Sequence, residues 1–319
     1  MGLGIRKALY EKGYKYGSLG YALYKCISWY YYCRHYLGSD KTVLQRRHRE
    51  VFGKGFDFNN PQTLNEKIKW LKVYDRRAIH TLLADKYTMR SYMAEKFGSE
   101  YLIPLIYETT NWRDITIDKI PDYDCIIKAS HSSGQYQIIR DKSQVNIKQL
   151  QFKCRCWLGH NYYAHSKEWQ YKNSTRRIII ERLLKTKDGH IPNDYKLHYI
   201  NGKLVFVYCS VDRETVNKRN IYDENWRPLY FSWVEKWKDP SNIRGGEIPP
   251  PASFDKMKEI GNEIAKMFDY VRVDFYDVDG QLFYGEITFH HGGGNDVFTP
   301  EELDLKYGKM LKFEKAKVE

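Results

Sequence analysis

Paired cysteines, long apolar runs and a Walker A loop are all missing from this 319-residue chain. Its six cysteines show neither a disulfide-like spacing nor a Cys-x-x-Cys pair, and only one residue separates Cys154 from Cys156. That argues against a disulfide scaffold or a zinc site and points to reduced cytosolic thiols. No uncharged stretch approaches the roughly 20 apolar residues that span a bilayer, and the mean hydropathy is −0.68. The start of the chain lacks an apolar core followed by small residues, so no secretory signal is expected. Arg6 stands where an N-myristoylation motif has Ser or Thr. Acidic residues are the scarcer charge, 40 against 52 basic ones, which leaves a net charge of +12. A chain of this sign suits an anionic partner: a nucleotide, an acidic glycan, lipid headgroups or nucleic acid. The length suffices for two or three subdomains sharing a sizeable core.

The stretch with most chemistry is Val271 to Asn295, read as two strands and a tight turn. Val271, Val273 and Phe275 point one way, and Arg272, Asp274 and Tyr276 the other. Val278-Asp279-Gly280 is expected as a three-residue turn. On the return strand Leu282, Tyr284, Glu286 and Thr288 share a face. An odd loop sets Arg272 opposite Glu286 and Asp274 opposite Tyr284, with the two carboxylates diagonal on one face. Two carboxylates and a guanidinium together are costly unless something divalent or phosphorylated completes them. Mg²⁺ on nucleotide phosphates is one completion; an ordinary Arg–Glu pair on a solvated face is the other reading.

Elsewhere, residues 19–37 predict a helix carrying Tyr21, Tyr24, Ile27, Trp29, Tyr31 and Tyr32 among lysines and arginines. It suits either contact with an anionic membrane or packing on the main body. A short charged helix is expected from Asp40 to Arg49. Thr63-Leu-Asn-Glu66 is a capping box ahead of a helix with Ile68, Leu71 and Val73 inward. Ala84-Asp85-Lys86-Tyr87 is read as the opening of the next helix, which Gly98 ends. Asp124 to Ser130 and Tyr136 to Arg140 read as strands around His131-Ser132-Ser133-Gly134, which is an ordinary hairpin loop or a phosphate loop. Arg177 to Leu184 is a buried strand. Asn201-Gly202 joins strands Asp194–Ile200 and Lys203–Tyr208 through a type I′ turn, with Asp194, Lys196 and His198 on one face. Val211 to Tyr230 is expected to be a long polar loop, Arg244 to Pro251 a linker, and Ser253 the cap of a helix with Met257, Ile260, Ile264 and Met267 inward.

The Arg-x-Asp-Phe strand, the Asp-Gly turn, the Gly-Glu-Ile-Thr strand and the glycines after it resemble the metal-binding end of ATP-grasp enzymes. Together with Asn60 to Lys72, they most resemble the TupA-like ATP-grasp family, found with genes for bacterial surface polysaccharides. The resemblance runs from about Asn60 to Pro300. It implies an α+β ATP-grasp fold, with two α+β subdomains sandwiching the nucleotide after a helical N-terminal segment. The expected regions are 1–80, then 81–183 with the phosphate loop, then 184–319 with the metal site. It further implies an ATP- and Mg²⁺-dependent carboxylate–amine ligase working through an acyl phosphate. Lys86, Lys128 and the loop Ser130, His131, Ser132, Ser133 and Gly134 would hold phosphates. Glu181, Arg182 and Leu183 would read adenine. Asp274, Glu286 and Thr288 would hold metal, with Arg272 and Lys196 catalytic. Thr288 departs from the family's Asn, which puts a second metal in doubt; His290, His291 or Asn295 could compensate. The implied partners are ATP, an acidic glycan or lipid-linked saccharide, and an amine or amino acid, in the cytoplasm or at the inner face of the membrane. The competing readings are a phosphotransferase acting on a sugar hydroxyl and a basic nucleic-acid binder, though nucleic acid is not the expected partner.

Overall fold

The computed structural model describes residues 2–239 and 243–314. In chain order these form helices α1 (Gly2–Lys12), α2 (Gly17–Tyr36), α3 (Asp40–Phe52), α4 (Leu64–Tyr74), α5 (Ala78–Ala84) and α6 (Met89–Phe97). Strands β1 (Leu105–Thr109), β2 (Cys125–Ala129) and β3 (Tyr136–Ile139) follow, then α7 (Ile147–Leu158), α8 (Tyr162–Ser166) and β4 (Ile178–Arg182). The remainder is β5 (Asp194–Ile200), β6 (Lys203–Val211), β7 (Lys218–Tyr222), β8 (Ser232–Glu235), α9 (Phe254–Ala265), β9 (Tyr270–Val278), β10 (Gln281–Thr288), β11 (Asp296–Thr299) and α10 (Glu302–Met310). Contacts divide the chain into two units, each discontinuous in sequence. Residues 1–39, 85–89 and 103–183 make the first; residues 40–84, 90–102 and 184–319 make the second.

The first unit is built on an antiparallel sheet of order β1-β4-β2-β3. Cys125, Ile127, Ala129, Ile178 and Ile180 cluster with Leu150, Cys154 and Trp157 of α7. The register Ile127↔Ile180 puts these apolar residues on one face, so Ile126, Lys128, Ile179 and Glu181 take the other. Helix α2 packs Tyr24 against Phe152 and Cys156. Helix α2 closes on the turn that follows α1 at Gly20, where a Cβ would lie 2.1 Å from the Gly13 carbonyl oxygen.

The second unit is built on an antiparallel sheet of order β10-β9-β5-β6-β7. Helix α9 lies against β5, β6 and β9, burying Met257, Ile260 and Ile264. Part of the opposite face is covered by Leu64, Ile68 and Leu71 of α4, Tyr307 of α10, and Trp233 and Phe298 from the β8–β11 ribbon. The rest of that face carries the charged residues described below. All six cysteines are free.

Several local expectations change. The segment after Val211 is not one loop, because Lys218–Tyr222 pairs with Val207–Val211 as β7. Asp85 to Thr88 is a turn between α5 and α6 rather than a helix start: the Asp85 Oδ1 accepts from the N–H groups of Tyr87 and Thr88 at 2.9 and 3.1 Å. Ser253 stands at the N-cap of α9 as read, but its side chain makes no cap bond; its N–H and hydroxyl donate to Asp277 Oδ2 at 2.9 and 2.6 Å, tying the helix start to the hairpin. On α4, Val73 is only half-buried while Lys69 and Lys72 are buried. The Lys69 ammonium donates to the Gly294 carbonyl, and burial with Lys72 nearby holds its pKa well down. The capping box forms as read, with Thr63 accepting from the Glu66 N–H.

Candidate active site

The metal-end hairpin differs from expectation in a way that decides the site. Its turn has two residues, not three: Val278 pairs with Gln281, and Asp279 and Gly280 have φ of 54° and 90°. An unbroken ladder from that turn would pair Glu286 with Val273 and send it to the apolar face. A β-bulge at Gly285 shifts the register by one. Beyond it Glu286 lies directly opposite Asp274, and Thr288 opposite Arg272. Leu282 and Tyr284 stay on the other face, where Tyr284 packs edge-on against Phe275 at 5.8 Å. The carboxylates thus share a face, with Asp274 rather than Arg272 as the direct partner of Glu286. Gly285 is needed because a Cβ there would lie 2.9 Å from the Asp274 carbonyl oxygen.

Strand β9 sits between β10 and β5, and the register Lys196↔Asp274 brings β5 onto the same face. Arg272 donates through Nε to Asp274 Oδ1 at 2.7 Å and through Nη2 to Asp274 Oδ2 at 2.6 Å. The same Nη2 donates to Glu286 Oε1 at 2.9 Å, and Nη1 to His291 Nδ1 at 2.8 Å. Lys196 donates to Asp194 and, at 3.3 Å, to Asp274 Oδ2. The Thr288 hydroxyl donates to Glu286 Oε1 at 3.3 Å. Three carboxylates therefore meet two cations, leaving one negative charge in excess. Burial pushes the Asp274 carboxyl pKa up against the pull of Arg272 and Lys196, with Asp194 and Glu286 adding to the rise. Arg272 stays protonated, because its carboxylate partners outweigh the burial that opposes its charge.

His291 is the partner that sequence reasoning underrated. A guanidinium only donates, so His291 Nδ1 accepts and its proton sits on Nε2, 3.4 Å from Asp296 Oδ2. Burial drives the ring pKa down to about 4, so it is neutral at pH 7. Among the described residues no three His, Cys, Asp or Glu side chains converge to hold a metal unaided. Asp274 and Glu286, with the Thr288 hydroxyl beside them, are oxygen donors on one polar face with surplus negative charge. That set suits a hard cation which takes one or two protein carboxylates and completes its shell from phosphate and water.

In the first unit the loop residues converge on the turn at Asp85-Lys86. Ser130 donates to Asp85 Oδ2 at 2.7 Å, and Lys86 Nζ to the Ser132 carbonyl at 2.8 Å. His131 is a strut, accepting through Nδ1 from the Arg177 N–H at 3.2 Å while Nε2 meets the Trp157 carbonyl at 3.1 Å. The Ser132 hydroxyl donates to Gln135 Oε1 at 2.6 Å. Gly134 takes a φ of 74°, which a residue with a side chain rarely adopts. Lys128 pairs with Glu181 at 2.5 Å on the sheet face away from α7. The N–H groups of Arg182 and Leu183 donate to the carbonyls of Pro104 and Asp124 at 3.0 and 3.1 Å. Both N–H groups are therefore engaged within the first unit.

No curated protein matches this chain. Among solved structures, the D-alanine–D-alanine ligase from Bacillus anthracis is similar at 15% identity and a TM-score of 0.36, over 65% of this chain and 57% of that one. The ATP-grasp ligase PsnB, complexed with minimal precursor, Mg and ADP, is similar at 12% identity and a TM-score of 0.37, over 71% and 58%. The D-alanine–D-alanine ligase from Helicobacter pylori is similar at 16% identity and a TM-score of 0.39, over 78% and 69%. The chain thus spans less than two thirds of the first of these ligases. The family description TupA-like ATPgrasp matches residues 66–312, which contain every candidate residue described above. The chain belongs to the TupA-like ATP-grasp family.

Proposed function

We propose that this protein is an ATP-dependent carboxylate–amine ligase that modifies a bacterial surface polysaccharide, joining a uronic acid to an amino acid or amine. The observation that carries the reading is the Arg272–Asp274–Glu286–Lys196 cluster on one sheet face of a TupA-like ATP-grasp chain. In the reaction a substrate carboxylate oxygen attacks the γ-phosphorus of ATP and ADP leaves. The amine nitrogen then attacks the acyl carbon, phosphate departs, and the nitrogen gives up a proton.

Magnesium, when bound, would neutralise phosphate charge. Asp274 and Glu286 are the residues to hold it, with Thr288 orienting Glu286. Arg272 has five N–H donors, and four are engaged by Asp274, Glu286 and His291. The fifth, on Nη1, is the one to meet an anionic intermediate. Lys196 tempers the surplus negative charge on the face. In the other unit Lys86 and Lys128 are the phosphate cations, and the Ser130-to-Gly134 loop offers backbone N–H groups. The segment Glu181 to Leu183 lines the base. The net charge of +12 favours an acidic glycan or a lipid-linked saccharide in the cytoplasm.

The test is incubation with ATP, Mg²⁺, candidate uronic acids and amines, following ADP, AMP and new amide bonds. ADP release coupled to an amide supports the reading. A phosphoester on the sugar with no amide points instead to a phosphotransferase and refutes it. Glu286→Gln is expected to lower turnover at least about a hundredfold while the protein still unfolds at or above the parent temperature, since one of two facing carboxylates is neutralised.

A further inference from the structure

Helix α2 carries apolar residues on two opposite faces. One face packs inward: Tyr24 is buried against Phe152 and Cys156, with Tyr10, Tyr14 and Tyr21 around it. Leu19, Leu23, Cys26, Trp29 and Tyr30 recur at steps of three and four on the other side, and Leu37 continues the row just past the helix end. These are not half-covered residues: Trp29 is 69% exposed, Leu19 63% and Tyr30 55%. Single exposed apolar side chains need no explanation, but a continuous row along one helix does.

The charges around the row have one sign. Lys25 and Arg34 fall on opposite sides of it, roughly 110° and 70° from its centre at helical geometry; exposed Lys25 gives one N–H to the Gly159 carbonyl at 2.9 Å and keeps two, and Arg34 gives one to the Tyr30 hydroxyl at 3.4 Å. Helix α2 contains no acidic residue. Residues 2–39 hold Arg6, Lys7, Lys12, Lys15, Lys25 and Arg34 against Glu11 alone. No described helix is long and apolar enough to cross a membrane.

A helix with one face committed to its own protein, and the other presenting Leu, Trp and Tyr between cations, has the chemistry of a segment lying in the plane of an anionic bilayer surface. The aromatic rings sit at headgroup depth, the leucines just below, and the cations reach phosphates. We infer that α2 docks flat on an anionic lipid surface through Leu19, Leu23, Trp29, Tyr30 and Leu37, with Lys25 and Arg34 on the headgroups. A second copy of the chain is a poorer occupant. Pairing α2 with itself would set Lys25 and Arg34 against their own kind, with no acid on the helix to answer them. The inference goes beyond the ligase reading and is tested without turnover.

The test is flotation of the full chain with unilamellar vesicles of phosphatidylcholine alone or mixed with phosphatidylglycerol. It is run on the parent, on Leu23→Glu/Trp29→Glu and on Lys25→Glu/Arg34→Glu, with thermal unfolding and sedimentation velocity alongside. Binding to the mixed vesicles is expected to be at least about tenfold tighter than to neutral ones, and to weaken with salt. Each double variant should lose at least about tenfold in that binding while still unfolding cooperatively, the charge-reversal variant a few degrees below the parent because Lys25 no longer donates to Gly159. Should the apolar-row variant lose its unfolding transition, the charge-reversal variant and the salt dependence decide. Three results overturn the inference: no flotation at any phosphatidylglycerol content, equal flotation by parent and variants, or a self-association abolished by the same substitutions with no vesicle binding.

Discussion

Glu286 stands beside Asp274 because the residue before it has no side chain. A Cβ on Gly285 would come within 2.9 Å of a backbone oxygen, which cannot swing aside as a side chain could. Gly285→Ala should therefore cost about 1–3 kcal/mol of stability and displace Glu286 from Arg272. Denaturant titration together with turnover would check it, and a variant of parental stability would mean the bulge absorbs a methyl group. The ion pair in the first unit changes another expectation. Lys128→Ala on sequence grounds alone should spare stability and weaken only nucleotide binding. The structure pairs Lys128 with the buried Glu181, and removing one partner leaves the other charge buried. Lys128→Ala should lose roughly 2–4 kcal/mol, and adding Glu181→Gln should recover part of it. A thermal-unfolding double-mutant cycle tests this; strict additivity would show that the pair does not couple.

At the scale of elements, α4 shows local and tertiary signals agreeing at one end and parting along its length. Its start is written in four residues: Glu66 Oε2 accepts from the N–H groups of Gln62 and Thr63 at 2.6 and 3.2 Å, and Thr63 accepts in return. Thr63→Ala should cost about 1 kcal/mol by equilibrium unfolding. Its inward face, however, includes Lys69 and Lys72, which no hydrophobic pattern identifies. The N-terminal helices behave similarly. Their aromatic spacing is plain in sequence, but not that Tyr10 accepts from Trp157 Nε1 at 2.7 Å or that Tyr24 covers Phe152. Removing residues 1–38 uncovers that patch, so the truncated chain should unfold several degrees lower and gain binding of an apolar dye. An unchanged melting temperature would show the helices to be energetically detached.

For the whole molecule, six of the ten histidines are held neutral. Burial lowers the pKa of His48 and His160 to about 3 and of His291 to about 4, and depresses His131, His165 and His198 as well. Each binds its proton more readily in the unfolded chain, near pH 6.5. Stability is therefore full above pH 6.5 and falls as the pH drops from 6.5 toward 4, with His291 alone worth on the order of 3 kcal/mol across that window. The raised pKa values of Asp274 and Asp304 oppose this only weakly, as two groups against six. Thermal unfolding between pH 7.5 and 4.5, about the range of full to partial histidine charging, should show a steep fall in melting temperature on acidification. A flat profile would mean that the rings are charged in the fold. His291→Gln should shallow the slope.

Sequence alone determined what is written in short-range chemistry. The Asn201-Gly202 hairpin appears as read, with φ of 46° and 76° at those residues. So do the alternation of β9, the capping box, the helix across residues 19–36 and the family-specific residues that identify the chain. Tertiary structure decided the rest, because it turns on register and on partners far away in the chain. Strand parity counted from the turn would have sent Glu286 to the apolar face, and only the bulge, forced by backbone against backbone at Gly285, returned it to Asp274. Strand β7 was invisible because Lys218 to Tyr222 becomes a strand by pairing with the edge of β6, not by its own pattern. Lys128 and Glu181 carry no mark of each other 53 positions apart; they meet because antiparallel register places alternate residues of β2 and β4 on one face.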